Sequence, residues 1–373
     1  MFKKILVIPL GVGVLIFTIW ALNLALPGGL PLPLQLLLSL ILLFPPPLLP
    51  LAAALPAGKV RTYVHRVGEA VTGPYLYLLI LLVLDALLCV LSYFTGAFTV
   101  SLPVMSALTV TVWFFILLWG ALNARIIKKR HYTIVLPCKD GKEGQTRAVL
   151  LSDLHLGYFS TKAFLKRLVG AVNNAAPHYV FIAGDLLDSD MSELSEKKEA
   201  PTLLKSIDAP QGVYLCMGNH DLYAANDPSF YRFIDRTGFT LLHDEARSFA
   251  LFTLIGRSEV HEKERMKQET LFQSTDGARI VLCHNPKEGE ELIKAGADLV
   301  LCGHTHNGQT FPGNIVSKMK SRYSYGLNRY RHGAVLTTSG AGYWGPPLRI
   351  FTNNEIVILD LIFQKADPSV AKA

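Results

Sequence analysis

The first third of the chain is apolar with little interruption, and the remainder alternates short apolar runs with polar turns. Four apolar stretches, about 5–26, 30–54, 73–95 and 101–123, each reach the ~20 residues that a helix needs to cross ~30 Å of hydrocarbon. They predict an all-α, four-helix transmembrane domain over residues 1–124. Pro45, Pro46 and Pro47 fall inside the second stretch and predict a break there, giving two half-helices or a re-entrant segment. From residue 131 the period shortens. Runs 131–136 and 147–151 flank a turn-like Lys139-Asp140-Gly141 and read as a hairpin. Helices are expected near 161–174, 194–207, 228–237 and 288–295, and strands near 179–183, 212–217, 249–255, 278–283, 299–302, 333–338 and 355–361. Such alternation predicts an α/β layered domain.

Charge orients this arrangement. Before residue 125 the charged side chains are Lys3, Lys4, Lys59, Arg61, Arg66, Glu69 and Asp85. The basic ones precede the first stretch or lie between the second and third, and Arg125, Lys128, Lys129 and Arg130 follow the fourth. The positive-inside rule therefore places both termini, and with them the C-terminal half, in the cytoplasm of a multi-pass cell-membrane protein. Cleavage of residues 1–26 as a signal peptide would leave the C-terminal half on the same side. Nine Lys/Arg and two Asp/Glu lie at or before His131, which accounts for the whole net charge of +7. The pI near 9.0 thus belongs to a collar at the bilayer, and no nucleic-acid partner is expected. Five scattered cysteines without CxxC spacing fit a reducing compartment. Asp85, a carboxylate in mid-span, is either functional or hydrogen-bonded to another span.

The soluble half places polar residues where strands end. Run 149–152 ends in Asp153-Leu154-His155, run 179–183 in Gly184-Asp185, and run 213–217 in Gly218-Asn219-His220-Asp221. Run 280–283 ends in His284, and run 299–302 in Gly303-His304-Thr305-His306. The carboxyl ends of strands are where α/β sheets bind ligands, so five such endings can converge on one site. Their chemistry suits a pair of divalent metals. In Asp-x-His and His-x-His a spacing of two would return both side chains to one side of an extended chain. The two oxygens of Asp185 can bridge ions, Asn219 offers a neutral oxygen, and His284 and His304 offer nitrogens. Glycines at 184, 218 and 303 would let backbone approach the ions without a Cβ clash.

The ordered set D-x-H, G-D, G-N-H-D, H and G-H-x-H resembles the calcineurin-like metallophosphoesterase superfamily over about 147–361. Within it, S-D-L-H-L-G, G-H-T-H-x-G-Q and the late G-x-x-G-P-P-x-R look like the YkuE/YaeI-type branch, and the apolar leader looks like transmembrane members. The resemblance implies a metallophosphoesterase β-sandwich flanked by helices. It implies that Asp153, His155 and His306 hold one metal, that Asn219, His284 and His304 hold the other, and that Asp185 bridges. His220 would give a proton to the leaving-group oxygen, with Asp221 orienting it; a helix cap or a supporting hydrogen bond is the alternative. Asn307 stands where a glycine is expected, and Gly256-Arg257-Ser258 where related chains often carry acidic residues.

The expected domains are 1–124 transmembrane, 125–146 basic linker and hairpin, 147–363 catalytic and 364–373 a tail. The expected activity is hydrolysis of a phosphodiester or pyrophosphate by metal-bound hydroxide. Two divalent ions (Mn, Fe or Zn), less Asp153, Asp185 and the hydroxide, leave a charge of about +1 that attracts phosphate. A site tethered to the bilayer favours a phosphorylated lipid substrate over a small molecule. A UDP-diacylglucosamine-type pyrophosphatase is one example, although one such branch has Arg where this chain has His220. The alternative is a transporter or sensor regulated by its phosphoesterase domain. The basic and aromatic segment 317–332 and the Tyr343-Trp344 turn are candidates for headgroup or cleft contacts.

Overall fold

The computed structural model describes residues 45–365 apart from 57, 97–100, 139–140, 195–197, 263 and 274–276. The first expected span, most of the second and most of the C-terminal tail lie outside the described residues. The chain divides into two compact units, Met1–Gly120 and Ala121–Ala373.

The described part of the first unit is helical: α1 (Pro45–Ala54), α2 (Lys59–Thr95) and most of α3 (Leu102–Asn123). Pro45, Pro46 and Pro47 lie within α1, at the edge of the described residues. Close packing of α1 on α2 depends on Gly68, where a Cβ would come within 3.0 Å of Leu48 Cβ. The basic segment 59–66, expected as a loop, forms the first turns of α2. The helix continues through Pro74 to Thr95. Gly96 takes φ 59° and its N–H caps the Ser92 carbonyl.

Two helical segments, Val60–Thr95 and Val104–Asn123, are long and apolar enough to cross a membrane. Their Leu87, Phe94, Val104 and Phe115 face outward, the reverse of a helix buried in a water-soluble core. Two polar side chains bond across the helices of the unit. Thr109 Oγ1 donates to Asp85 at 2.6 Å, and Trp113 Nε1 to the Pro74 carbonyl at 2.8 Å. Of the two roles open to Asp85, the hydrogen bond to another helix is the one present.

Among the described residues the second unit contains twelve strands: β1 (Ile127–Pro137), β2 (Gly144–Leu151), β3 (Tyr179–Ala183), β4 (Val213–Cys216), β5 (Thr240–Leu241), β6 (Glu245–Ser248), β7 (Phe252–Gly256), β8 (Ala278–Leu282), β9 (Leu299–Cys302), β10 (Gly326–Tyr330), β11 (Gly333–Thr337) and β12 (Asn354–Gln364). They form two six-stranded sheets, ordered β1-β12-β2-β3-β4-β5 and β10-β11-β9-β8-β7-β6. Alternation within strands builds the layers. Leu150 and Phe181 point into a shared core with Leu254, Leu301 and Leu359, between the sheets. Their neighbours Val149, Leu151 and Ile182 pack instead on α4 (Lys162–Asn173), through Leu165 and Leu168. On the far side Val281 and Val300 pack against Leu292 and Ile293 of a helix at Gly289–Ala295. The result is a mixed α/β fold in which two sheets lie between helices.

The expected hairpin does not form. Strand β12 lies between β1 and β2, parallel to the first and antiparallel to the second. The first six residues of β12 are all buried, which demands a central place, whereas Lys128, Lys129 and Arg130 suit an edge. Segment 127–137, expected as a linker, is therefore part of the sheet. Among the described residues of the helix expected over 194–207, Ala200–Lys205 is α-helical, and the short helix Asp221–Ala225 was not expected. Arg257, in the loop whose role the sequence left open, pairs with Asp244 at 2.5 Å and donates to the Met266 carbonyl.

A fragment beginning at Ala121 should fold and melt cooperatively. One beginning at Arg147 loses the buried Ile134 and Leu136 and should be less stable by about 3–6 kcal/mol, or precipitate, when the two are compared by thermal melts.

Candidate metal centre

Strands β2, β3 and β4 are mutually parallel, as are β8 and β9, so their carboxyl ends gather polar residues in one place. Asp153 and His155 follow β2, Asp185 follows β3, Asn219 follows β4, His284 follows β8, and His304 and His306 follow β9. The backbone achieves this differently from an extended chain. Asp153, His155, Asp185, His304 and His306 all have positive φ, between 44° and 72°. They are five of the eleven non-glycine residues in that region among the described residues, so backbone strain is concentrated here. Asn307, φ 49°, takes the left-handed conformation that the expected glycine would have. The glycines make room for ligand side chains more than for ions. A Cβ on Gly218 would lie 2.2 Å from Asp185 Oδ1, and one on Gly303 2.4 Å from Asp153 Oδ2.

Among the described residues three groups could hold an ion, Asp153–His155–His306, Asp185–His284–His304 and His155–Asp188–His220, each with donor atoms within 4.8 Å of one another, and the third shares His155 with the first. His155 Nε2 faces His306 Nε2 at 3.0 Å, and His284 Nε2 faces His304 Nδ1 at 3.2 Å. Asp185 Oδ2 lies 3.0 Å from His284 Nε2 and 3.7 Å from His155 Nε2, between the groups. Its other oxygen accepts the His220 N–H at 2.8 Å. Both Asp153 oxygens accept from the His304 N–H. Asn219 sits between Gly218 and His220, and its Oδ1 is buried without a hydrogen-bond partner.

Surrounding groups fix which nitrogen faces inward. His284 Nδ1 donates to the Ala183 carbonyl at 2.8 Å, and His155 Nδ1 to Asp188 Oδ1 at 2.9 Å, leaving each Nε2 toward the centre. Asp188 was not singled out from the sequence. Its signal was a second carboxylate three residues after Asp185 in a run that is otherwise buried. Arg349, fully buried, donates to the carbonyls of His306, Ser339 and Gly342 and to Asn354 Oδ1, so the late G-x-x-G-P-P-x-R segment braces a ligand turn. Asp221 differs from its expected role. Its carboxylate accepts the N–H groups of Gly218, Leu186 and Leu187, tying the β3 and β4 loops together. The Nδ1 of His220 is oriented instead by the Asp188 carbonyl, and its ring stands edge-on to His155 and Trp344.

Electrostatics divides each histidine pair. Burial opposes a charge on His284, but Asp185 outweighs it and carries the pKa up to about 10. Burial and the charge of His284 hold His304 down. In the other pair burial also opposes charge on His155, yet Asp188 and Asp185 raise it, while burial and His155 lower His306. Asp185, which burial would raise, is held well below the usual carboxylate range by His284 and His155. In each pair one histidine is thus pushed toward the charged form and the other toward the neutral form. A divalent cation meets the same atoms, and the orphaned Asn219 oxygen adds a donor that a proton does not use. The residues fit such ions.

The second unit resembles a calcineurin-like metallophosphoesterase domain. The sequence profile described as calcineurin-like phosphoesterase matches residues 146–308. Similar curated proteins include an uncharacterised metallophosphoesterase of Helicobacter pylori, 31% identical over 60% of this chain and 61% of that one. A transmembrane protein with metallophosphoesterase domain from Danio rerio is 33% identical over 56% of this chain and 52% of its own length. The phosphodiesterase YaeI of Escherichia coli is 27% identical over 58% and 82%. The chain thus spans between half and two thirds of the first two of these relatives.

Two outcomes follow for metal binding. Asp188→Asn removes the carboxylate that orients His155 and should weaken divalent-metal affinity by about 10- to 100-fold in a metal titration. Because His284 stays protonated up to about pH 10, metal binding at pH 7–9 should release at least one proton, read by calorimetry in buffers of different ionisation enthalpy.

Proposed function

We propose that the chain is a membrane-anchored phosphoesterase in which Asp153, His155 and His306 hold one divalent ion, Asn219, His284 and His304 a second, and Asp185 bridges them. The observation that carries this reading is the position of Asp185 Oδ2 between two facing histidine pairs. Two such ions would supply an activated water and a positive field for a phosphate anion. The relative named as a phosphodiesterase and the family profile support a phosphoric ester as substrate. Mn, Fe and Zn all suit the mixed nitrogen and oxygen donors.

His220 is the proton donor in this reading. Its Nδ1–H is engaged by the Asp188 carbonyl, which directs Nε2 away from that backbone. An imidazolium held this way can release its Nε2 proton to a departing oxygen. Asp221 contributes by holding the loop that carries His220, through the Gly218 N–H. The apolar, outward-facing helices and the basic residues that follow them favour anchoring with the catalytic unit in the cytoplasm, and hence a lipid-linked phosphodiester or pyrophosphate. Asp85, bonded to Thr109, lends no support to an ion path through the spans.

Full-length protein should hydrolyse bis-p-nitrophenyl phosphate with added Mn²⁺, and chelator or Asp185→Asn should abolish turnover; metal-independent turnover would refute the reading. His220→Ala should cost about 10²–10⁴ with an alkyl leaving group and far less with p-nitrophenolate, which leaves without a proton. Equal losses on both substrates would remove His220 from that role.

A further inference from the structure

The turn that carries His306 leads directly into an exposed helix, Gly313–Lys320, none of whose residues is buried. With about 100° per residue, Ile315, Val316 and Met319 share one face, and Lys318 and Lys320 stand on its two borders. Met319 is 81% exposed. Phe311, just before the helix, meets Phe351 edge-on at 5.7 Å, and Phe351 is itself 69% exposed. An apolar patch of this kind in water is unfavourable, and its lysine borders repel other basic surfaces. A layer that is apolar inside and anionic at its face satisfies both features.

The position of the patch is also fixed. Gly308 packs on Gly313 so closely that a Cβ would lie 2.1 Å from the Gly313 carbonyl carbon, which ties the helix to the metal-binding turn. Asn123, the last residue of α3 and part of the second unit, donates to the carbonyls of Arg349 and Thr352 at 2.9 and 2.7 Å. Those two residues bracket Phe351. Asn123 is therefore held beside the patch. On the other side Gln309 exchanges two hydrogen bonds with the Trp344 backbone, and the exposed Trp344 ring faces His220.

We propose that Phe311, Ile315, Val316, Met319 and Phe351 form a docking surface for an anionic phospholipid bilayer, with Lys318 and Lys320 on the headgroups, so that the metal centre works at headgroup level. This rests on the membrane-anchored reading above. The surface presents a lipid-linked phosphate to the centre without lifting the lipid out of its layer.

The test uses the full chain with Cys89→Ala and Cys138→Ser, reconstituted in phosphatidylcholine vesicles containing phosphatidylglycerol. An environment-sensitive fluorophore is placed through Met319→Cys and, as a control, through Glu245→Cys on exposed edge strand β6 at the opposite edge of the sheet from β10. The expected result is blue-shifted emission at 319, quenched by shallow spin-labelled lipid at least about twofold more than at 245, and diminished by Lys318→Glu with Lys320→Glu. Water-like emission at both positions in protein that floats with the vesicles overturns the docking surface. A blue shift without lipid quenching assigns the patch to a protein contact, such as a second copy, and also overturns it. Protein that fails to float overturns the anchored reading, and this proposal with it.

Discussion

Carboxylates and imidazoles do not sit in contact under cover unless something holds them there, and that crowding is the constraint on which the rest of the second unit depends. His155 and His306 face each other at 3.0 Å, and His284 and His304 at 3.2 Å. Holding them requires left-handed backbone at Asp153, His155, Asp185, His304 and His306, a conformation that costs non-glycine residues about 1 kcal/mol or more each. It also requires braces behind the ligands. Asp221 gathers three backbone N–H groups, Asp188 fixes His155, and Arg349 fills its donors with the carbonyls around His306. The two-sheet core supplies the rigidity against which this strain is held.

The protonation pattern connects that constraint to function. In each pair Asp185 and Asp188 favour charge on one histidine, His284 or His155, while burial disfavours charge on the other, His304 or His306. Carboxylates that favour positive charge at these nitrogens also favour a cation there. Binding then requires loss of protons and little movement of side chains. The same preorganisation suits a phosphate, because the donors do not need to rearrange when the substrate arrives.

Much of this was legible in the sequence, for identifiable reasons. Asp153, His155, Asp185, Asn219, His284, His304 and His306 stand out because each follows an apolar run, and strand ends are marked locally. Strand β3 and helix α4 were visible from period and from the Thr161 cap, whose side chain accepts the Phe164 N–H. What escaped depends on contacts distant in sequence. Strand β12 enters between β1 and β2 from more than two hundred residues away, so a local hairpin reading had no means of seeing it. Arg349 meets His306 across forty-three residues. Asp188 and Asp221 lie beside visible ligands, but their roles depend on backbone groups that only the folded loops bring near. The left-handed conformation of the ligands is likewise invisible to a spacing argument, which counted residues correctly and assumed the wrong backbone.

The central claim is that these seven residues hold two ions. Metal content of the folded full-length protein, loaded in turn with Mn²⁺, Fe²⁺ and Zn²⁺ and measured by inductively coupled plasma mass spectrometry, tests it most directly. The account predicts about two ions per chain with at least one of these metals, and loss of both sites' occupancy in Asp185→Asn. Folded protein that retains none of them, or an Asp185→Asn variant that retains both ions, would contradict it.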